Sequence, residues 1–112
     1  MSINNVSSYL PLSEATYYVL VALNETLHGY AIMQKVEGLS EATVTIGPGT
    51  LYGVCATLEK QGLIEKVKEE DRRKYYAMTA KGKAVLAEQV RRLGIMFRNG
   101  QAIASFLEGA AS

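Results

Sequence analysis

The side chains in this sequence that could do chemistry are cations and hydroxyls, gathered in two places. Gly49, Thr50, Tyr52 and Gly53 stand close together after Pro48, and Lys66, Lys68, Arg72, Arg73 and Lys74 follow within a short stretch, with Lys60 between the two groups. Hydroxyls and cations at this spacing suit hydrogen bonding to phosphates and base edges rather than bond breaking. Nucleophilic and metal chemistry fail on counting. Cys55 is the only cysteine and His28 the only histidine, so there is no internal disulfide and no ligand set for zinc or a similar metal. A Cys–His pair would still need a third orienting group, and Cys55 falls in an apolar helical pattern, so its expected role is structural. His28, beside Gly29, is expected to fix a turn. With no paired-carboxylate cleft and no phosphate-loop motif, the expectation is a protein that is not an enzyme and uses no cofactor and no metal.

Several elements must position those residues. Tyr17, Val19, Leu20, Leu23 and Leu27 recur at helical spacing and predict a helix from Ser13, a good N-cap, to about Thr26. His28-Gly29 breaks it. A second helix is expected from Tyr30 to Leu39, with Tyr30, Met33 and Val36 inward. Thr43, Val44, Thr45 and Ile46 suit a brief strand or extended link over 42–46. Pro48 then opens a third helix, where its missing N–H costs nothing, and Gly62 stops it after Gln61. The inward face of that helix is Leu51, Val54 or Cys55, and Leu58; Thr50, Tyr52, Gly53, Ala56, Thr57 and Lys60 lie outside. From Leu63 the period changes to two, which predicts a β-hairpin with a charged tip at Glu70-Asp71-Arg72-Arg73 and a return strand through Met78. Thr79 caps a final helix from Ala80 to at least Arg98, with Asn99-Gly100 as the expected stop. On it Leu86, Val90, Leu93 and Phe97 step by four, three and four, the alternation of a helix–helix seam.

The chain has 112 residues, 48% of them apolar and 21% charged, which fits one domain with a modest core. No apolar run reaches the roughly 18 residues a membrane-spanning helix needs. The first residues, Met1-Ser2-Ile3-Asn4-Asn5, carry no basic residue and no small-residue cleavage site, so the expected location is the cytoplasm. The net charge of +1 hides a partition. Residues 1–59 hold one basic and five acidic residues, whereas residues 60–98 hold eleven basic against five acidic. Such asymmetry is a compositional hint of a polyanionic partner.

Three helices, a hairpin and a fourth helix make a mainly α chain with a small β-hairpin, the order of a winged helix-turn-helix: the third helix enters the major groove and the hairpin wing touches flanking backbone. The runs Gly49-Thr50-Leu51-Tyr52, Leu58-Glu59-Lys60-Gln61-Gly62-Leu63-Ile64 and Arg73-Lys74-Tyr75-Tyr76-Ala77-Met78-Thr79-Ala80-Lys81-Gly82, with His28-Gly29-Tyr30, resemble the PadR family of bacterial transcriptional regulators over residues 12–98. The resemblance implies a homodimeric, ligand-responsive repressor whose long C-terminal helix makes the dimer. The expected organisation is an N-terminal arm over 1–11, a winged helix-turn-helix over 12–79, and a dimerisation helix and tail over 80–112.

On that reading Pro48, Gly49, Thr50, Tyr52, Gly53, Lys60, Lys68, Arg72, Arg73 and Lys74 contact double-stranded DNA, and Leu86, Val90, Leu93 and Phe97 form the dimer interface. Tyr76 is expected to pack. The acids at the hairpin tip, Glu69, Glu70 and Asp71, could instead neutralise Arg72, Arg73 and Lys74. The family resemblance further implies an apolar or aromatic effector held between subunits, here by Leu12, Leu93, Met96 and Phe97 without the tryptophan that can line such a pore. One departure stands out. The family commonly has basic residues in the middle of the recognition helix, where this chain has Ala56 and Thr57, which moves the electrostatic load to Lys60 and the wing. It also motivates an alternative, a winged-helix protein-interaction module that does not bind DNA.

Overall fold

The Ser13 hydroxyl accepts from the Thr16 N–H at 3.1 Å and starts helix α1 (Glu14–Ala22), pairing one of the N–H groups that a first turn leaves open. This computed structural model describes residues 6–111, with the side chains of 6–109. Helix α1 stops short of the expected Thr26, because Leu27 and His28 form a two-residue strand, β1 (Leu27–His28), that joins the hairpin. The gain is tertiary: backbone bonds to a distant strand replace one more helical turn, and no local periodicity announces them. Helix α2 (Gly29–Leu39) follows, and the His28 ring accepts from the Ala31 N–H at its start. His28 therefore fixes the junction as its position suggests, as an N-cap.

Helix α2 buries Ile32 and Val36 and packs Met33 on the core, so the expected inward stripe holds at Met33 and Val36 and is corrected at Tyr30, which is 63% exposed. Its C-terminus closes with the Ala42 N–H donating to the Glu37 carbonyl and the Glu41 N–H to the Gly38 carbonyl, the paired bonds of a Schellman stop with Glu41 at φ 51° where glycine is usual. The stretch 42–46 is not a strand. The Ser40 hydroxyl accepts from the Val44 N–H and donates to the Val44 carbonyl, both at 3.1 Å, folding the segment into a turn that delivers Ile46 to the core. With its polar groups bonded locally, it has no need of a sheet partner.

Helix α3 (Pro48–Lys60) starts at proline and ends before Gly62, whose φ of +76° only glycine adopts readily. Strands β2 (Ile64–Glu70) and β3 (Arg73–Met78) make the hairpin, and β1 adds to its other side, so the three-stranded antiparallel sheet has the order β1-β3-β2. The register slips by one residue between Lys66 and Lys68, a β-bulge at Val67.

Helix α4 (Ala80–Ala111) is capped by Thr79, whose hydroxyl accepts from the Gly82 N–H at 3.0 Å and donates to the Gly62 carbonyl. Its first turn lies so close to Leu63, the residue before β2, that a methyl on Gly82 would collide with the Leu63 carbonyl. The helix passes Asn99-Gly100 without a break and continues to Ala111, against the expected stop. A glycine inside a helix costs about 1 kcal/mol relative to alanine, which weakens a helix without ending it. Val19, Leu20, Leu23, Ile32, Val36, Leu58, Leu63, Ile64 and Val85 are fully buried, and half-buried Leu27 of β1 and Tyr76 and Met78 of β3 pack against this one core.

Candidate nucleic-acid interface

Helix α3 divides by its own period. Leu51, Cys55 and Leu58 are buried and Val54 is half-buried, while Pro48, Gly49, Thr50, Tyr52, Gly53, Ala56, Thr57 and Lys60 face solvent. Tyr52 is 75% exposed. A Cβ added at Gly49 or Gly53 would meet nothing within 4 Å, so neither glycine makes room for a neighbour in its own chain. Cys55 sits beneath this surface. Burial, and then the nearby Glu59 carboxylate, push its thiol up to about 11, so it is a protonated apolar side chain at neutral pH rather than a nucleophile.

The hairpin settles how its charges pair. Glu69 bonds Lys66 at 3.4 Å and Glu70 bonds Lys68 at 3.2 Å. The bulge at Val67 turns Lys66 and Glu69 to the same side despite their spacing of three. Two of the three acids near the tip are thus matched to lysines of β2, and Arg72, Arg73 and Lys74 are exposed with no ion-pair partner among the described residues. Asp71 and Arg72 form the two-residue turn with φ 53° and 64°, a left-handed geometry that suits the twist of the strands but costs a non-glycine residue about 1 kcal/mol. Lys68 is the least free of the predicted cations, because its ammonium also lies over the Tyr75 ring at 4.5 Å. Tyr75 meets His28 edge to face at 5.3 Å on its other side, so His28, Tyr75 and Lys68 form a row across the sheet.

The wing and α3 face a common groove of about 340 Å³. Pro48, Leu51 and Tyr52 border it from α3, Arg72, Lys74 and Tyr76 from the hairpin, and Gly29, Tyr30 and Met33 from α2. Burial raises the Tyr76 hydroxyl above its ordinary range, with Glu59 adding to the effect; its half-buried ring packs on the core, as expected. Tyr30 is the residue that sequence reasoning missed at this surface. Tyr30 continues the helical period of Met33 and Val36, and only packing shows that the inward face shifts to Ile32 and leaves Tyr30 outside.

The expected seam residues lie along α4. Leu86 and Leu93 are half-buried, Leu86 against the core, and Val90 and Phe97 are 49% and 60% exposed. Leu12 packs on its own core and donates its N–H to the Gln89 side-chain oxygen at 2.7 Å, fastening the N-terminal segment to α4. Arg92 reaches the Ser7 hydroxyl from the next turn and bonds Glu88, which Arg91 also grips through two nitrogens. The two guanidinium groups hold the Glu88 carboxyl down to about 2. A small cleft of about 150 Å³ includes Leu12, but its walls are the N-terminal segment, α1 and α3, and it does not include Leu93, Met96 or Phe97. Among the described residues no cluster of His, Cys, Asp and Glu could hold a metal ion, and no helix is long and apolar enough to cross a membrane.

Residues 19–88 match the family model described as the Transcriptional regulator PadR-like family. An uncharacterised protein of a Streptomyces fradiae transposon is 36% identical over 78 residues, which are 69% of this chain and 22% of that protein. Transcriptional regulator YqjI of Escherichia coli (strain K12) is 34% identical over 61 residues, 54% of this chain and 30% of the relative. The chain thus spans well under half the length of these two relatives. Among solved structures, a PadR-like transcription factor from Bacteroides fragilis is 28% identical at a TM-score of 0.66, covering 88% of this chain and 98% of that one. RosR of H. salinarum, 23% identical, shares the fold at a TM-score of 0.69, over 92% and 97% of the two chains. A family match across more than half the sequence, on a winged-helix fold with a long C-terminal helix, makes the chain a member of the PadR-like family of transcriptional regulators, which is not a class of enzymes.

Proposed function

We propose that this chain is a DNA-binding repressor that works as a homodimer on a pseudo-palindromic operator and responds to an apolar or aromatic effector. The observation that carries the DNA-binding part is the pairing in the hairpin: Glu69 and Glu70 are occupied by Lys66 and Lys68, and Arg72, Arg73 and Lys74 are left free beside the exposed face of α3. Pro48, Gly49, Thr50, Tyr52, Gly53 and Lys60 then face the major groove while Arg72, Arg73 and Lys74 take flanking phosphates; Lys68, held by Glu70 and Tyr75, contributes less. Gly53 in the middle of a helix costs about 1 kcal/mol relative to alanine. Nothing in its own chain requires it, so an outside surface that approaches the helix closely is a physical reason for it.

The dimer part rests on α4. Leu86, Val90, Leu93 and Phe97 continue at the same alternation through Gly100, Ala104 and Leu107, and Val90, Phe97 and Leu107 are exposed. A second copy of the helix is the occupant that repeats this seam in register. The resulting two-fold axis would set two recognition helices on half-sites about one helical turn apart. An effector seated between the subunits near Leu12, Leu93, Met96 and Phe97 would lower operator affinity by preferring a dimer with misplaced recognition helices.

A gel-shift titration with the region upstream of the chain's own gene tests the reading. At low salt, where counterion release favours binding most, a shift is expected that weakens steeply as salt rises. No shift at low salt would instead support a protein-interaction module, the reading that uncharged, exposed Ala56 and Thr57 favour.

A further inference from the structure

We propose that the groove between α2, α3 and the wing seats one sugar-phosphate strand of the duplex, and that the Tyr30 hydroxyl of α2 donates to a phosphate there. The inference rests on the DNA-binding reading above and adds a third contacting element to it. Tyr30 is 63% exposed, an unusual position for so large a ring at the start of a helix that packs on the core. Its hydroxyl accepts from Gln34 Nε2 at 3.2 Å one turn along the same helix. That bond fixes the ring along the helix surface and leaves the hydroxyl proton free to donate outward. The position of α2 against α3 is tight as well: a methyl on Gly29 would stand 3.3 Å from Leu51 Cδ2, so Tyr30 is carried at a set place beside the recognition helix.

The chemistry of the groove selects its occupant. Its walls contain two cations, Arg72 and Lys74, and no carboxylate, and its floor is apolar where Met33, Leu51 and Tyr76 meet. Glu59 and Glu69 act on Tyr76 but are not among the lining residues. An anion with an apolar body fits that arrangement, and a deoxyribose-phosphate chain is both. When α3 lies in the major groove and the wing reaches the neighbouring minor groove, the strand between those grooves must pass between α3 and the wing. The groove bordered by Tyr30 is the space between them.

A neutral donor and a cation leave different marks on binding. Removing a phosphate-bound cation lowers both affinity and salt slope, whereas removing a neutral hydroxyl lowers affinity alone, because no counterion is released at that contact. Tyr30→Phe is therefore expected to weaken binding about tenfold, equally for operator and unrelated duplexes, with the salt slope and melting temperature unchanged. The second measurement uses the wild-type chain. Nitration of Tyr30 by tetranitromethane, followed by mass spectrometry, should be fast in the free protein and suppressed by saturating duplex. Tyr30→Phe binding as tightly as wild type, or Tyr30 nitrated equally with and without saturating duplex, would overturn the inference while the wild-type gel shift leaves the DNA-binding reading standing. A wild-type chain that shifts no duplex at low salt overturns both.

Discussion

At the scale of single residues, Gly82 is decided by a contact its type does not advertise, and Glu88 by charges of its own helix. Gly82 lies in the first turn of α4 against the Leu63 carbonyl, with no room for a Cβ. Gly82→Ala should push α4 away from β2 and cost about 2 kcal/mol, in the range of overpacked core sites; urea unfolding followed by circular dichroism checks this, and an unchanged midpoint would show that the helix start can shift freely. Glu88 is held between Arg91 and Arg92, with its pKa lowered from 4.5 to about 2. A depressed carboxyl contributes stability above its unfolded pKa and loses it as pH falls through the folded one. The contribution should be fully present above about pH 4.5 and fade toward pH 2. Comparing melting temperatures of wild type and Glu88→Gln across that window tests it, and parallel curves would show that the pair adds nothing. The Glu88 pairing follows from helical spacing, since Arg91 and Arg92 stand three and four residues on along α4; the Leu63 carbonyl against Gly82, and Ser7 beyond Arg92, follow from how the chain packs.

At the scale of elements, the wing is where the sequence left a choice that the structure makes. The tip could have neutralised itself, since Glu69, Glu70 and Asp71 stand next to Arg72, Arg73 and Lys74. The bulge at Val67 and the spacing of two between Lys68 and Glu70 bring carboxylates to lysines within β2 instead. Replacing Arg72 and Arg73 together by alanine should therefore weaken binding to all duplexes alike and reduce the salt slope by about two per subunit. Gel shifts across a salt series measure it, and an unchanged slope would show that the wing is not engaged. Helix α3 was legible almost residue by residue, because one apolar residue every three or four positions on an isolated amphipathic helix has only one way to face a core. The 42–46 segment was legible only as a link and not as a strand, because alternation in a five-residue stretch is also compatible with a turn held by one serine hydroxyl.

For the whole molecule, the question is what covers α4. A 32-residue helix is about 48 Å long at 1.5 Å per residue, close to the 54 Å length of the chain's longest axis. Its distal half exposes Met96, Phe97, Ile103, Phe106 and Leu107, with Phe106 75% exposed. Leu93→Asp should break the proposed dimer by placing charges across an apolar seam. Phe97→Asp, at a position already exposed in the single chain, should do the same without disturbing the core. Sedimentation velocity decides it: variants that remain dimeric would refute the seam. What the sequence determined by itself is the order of the helices and the hairpin, the inner face of α3, the helix caps at Ser13 and Thr79 and the separation of acidic from basic halves. These depend on short-range periodicity, capping chemistry and counting. Only the tertiary structure decided that Leu27 and His28 join the sheet, that Tyr30 faces out beside α3, that the tip arginines are left unpaired and that α4 runs past Gly100. The first two depend on groups far apart in the chain, which local pattern does not record; the arginines depend on a bulge in the hairpin register, and α4 on a glycine cost too small to end a helix.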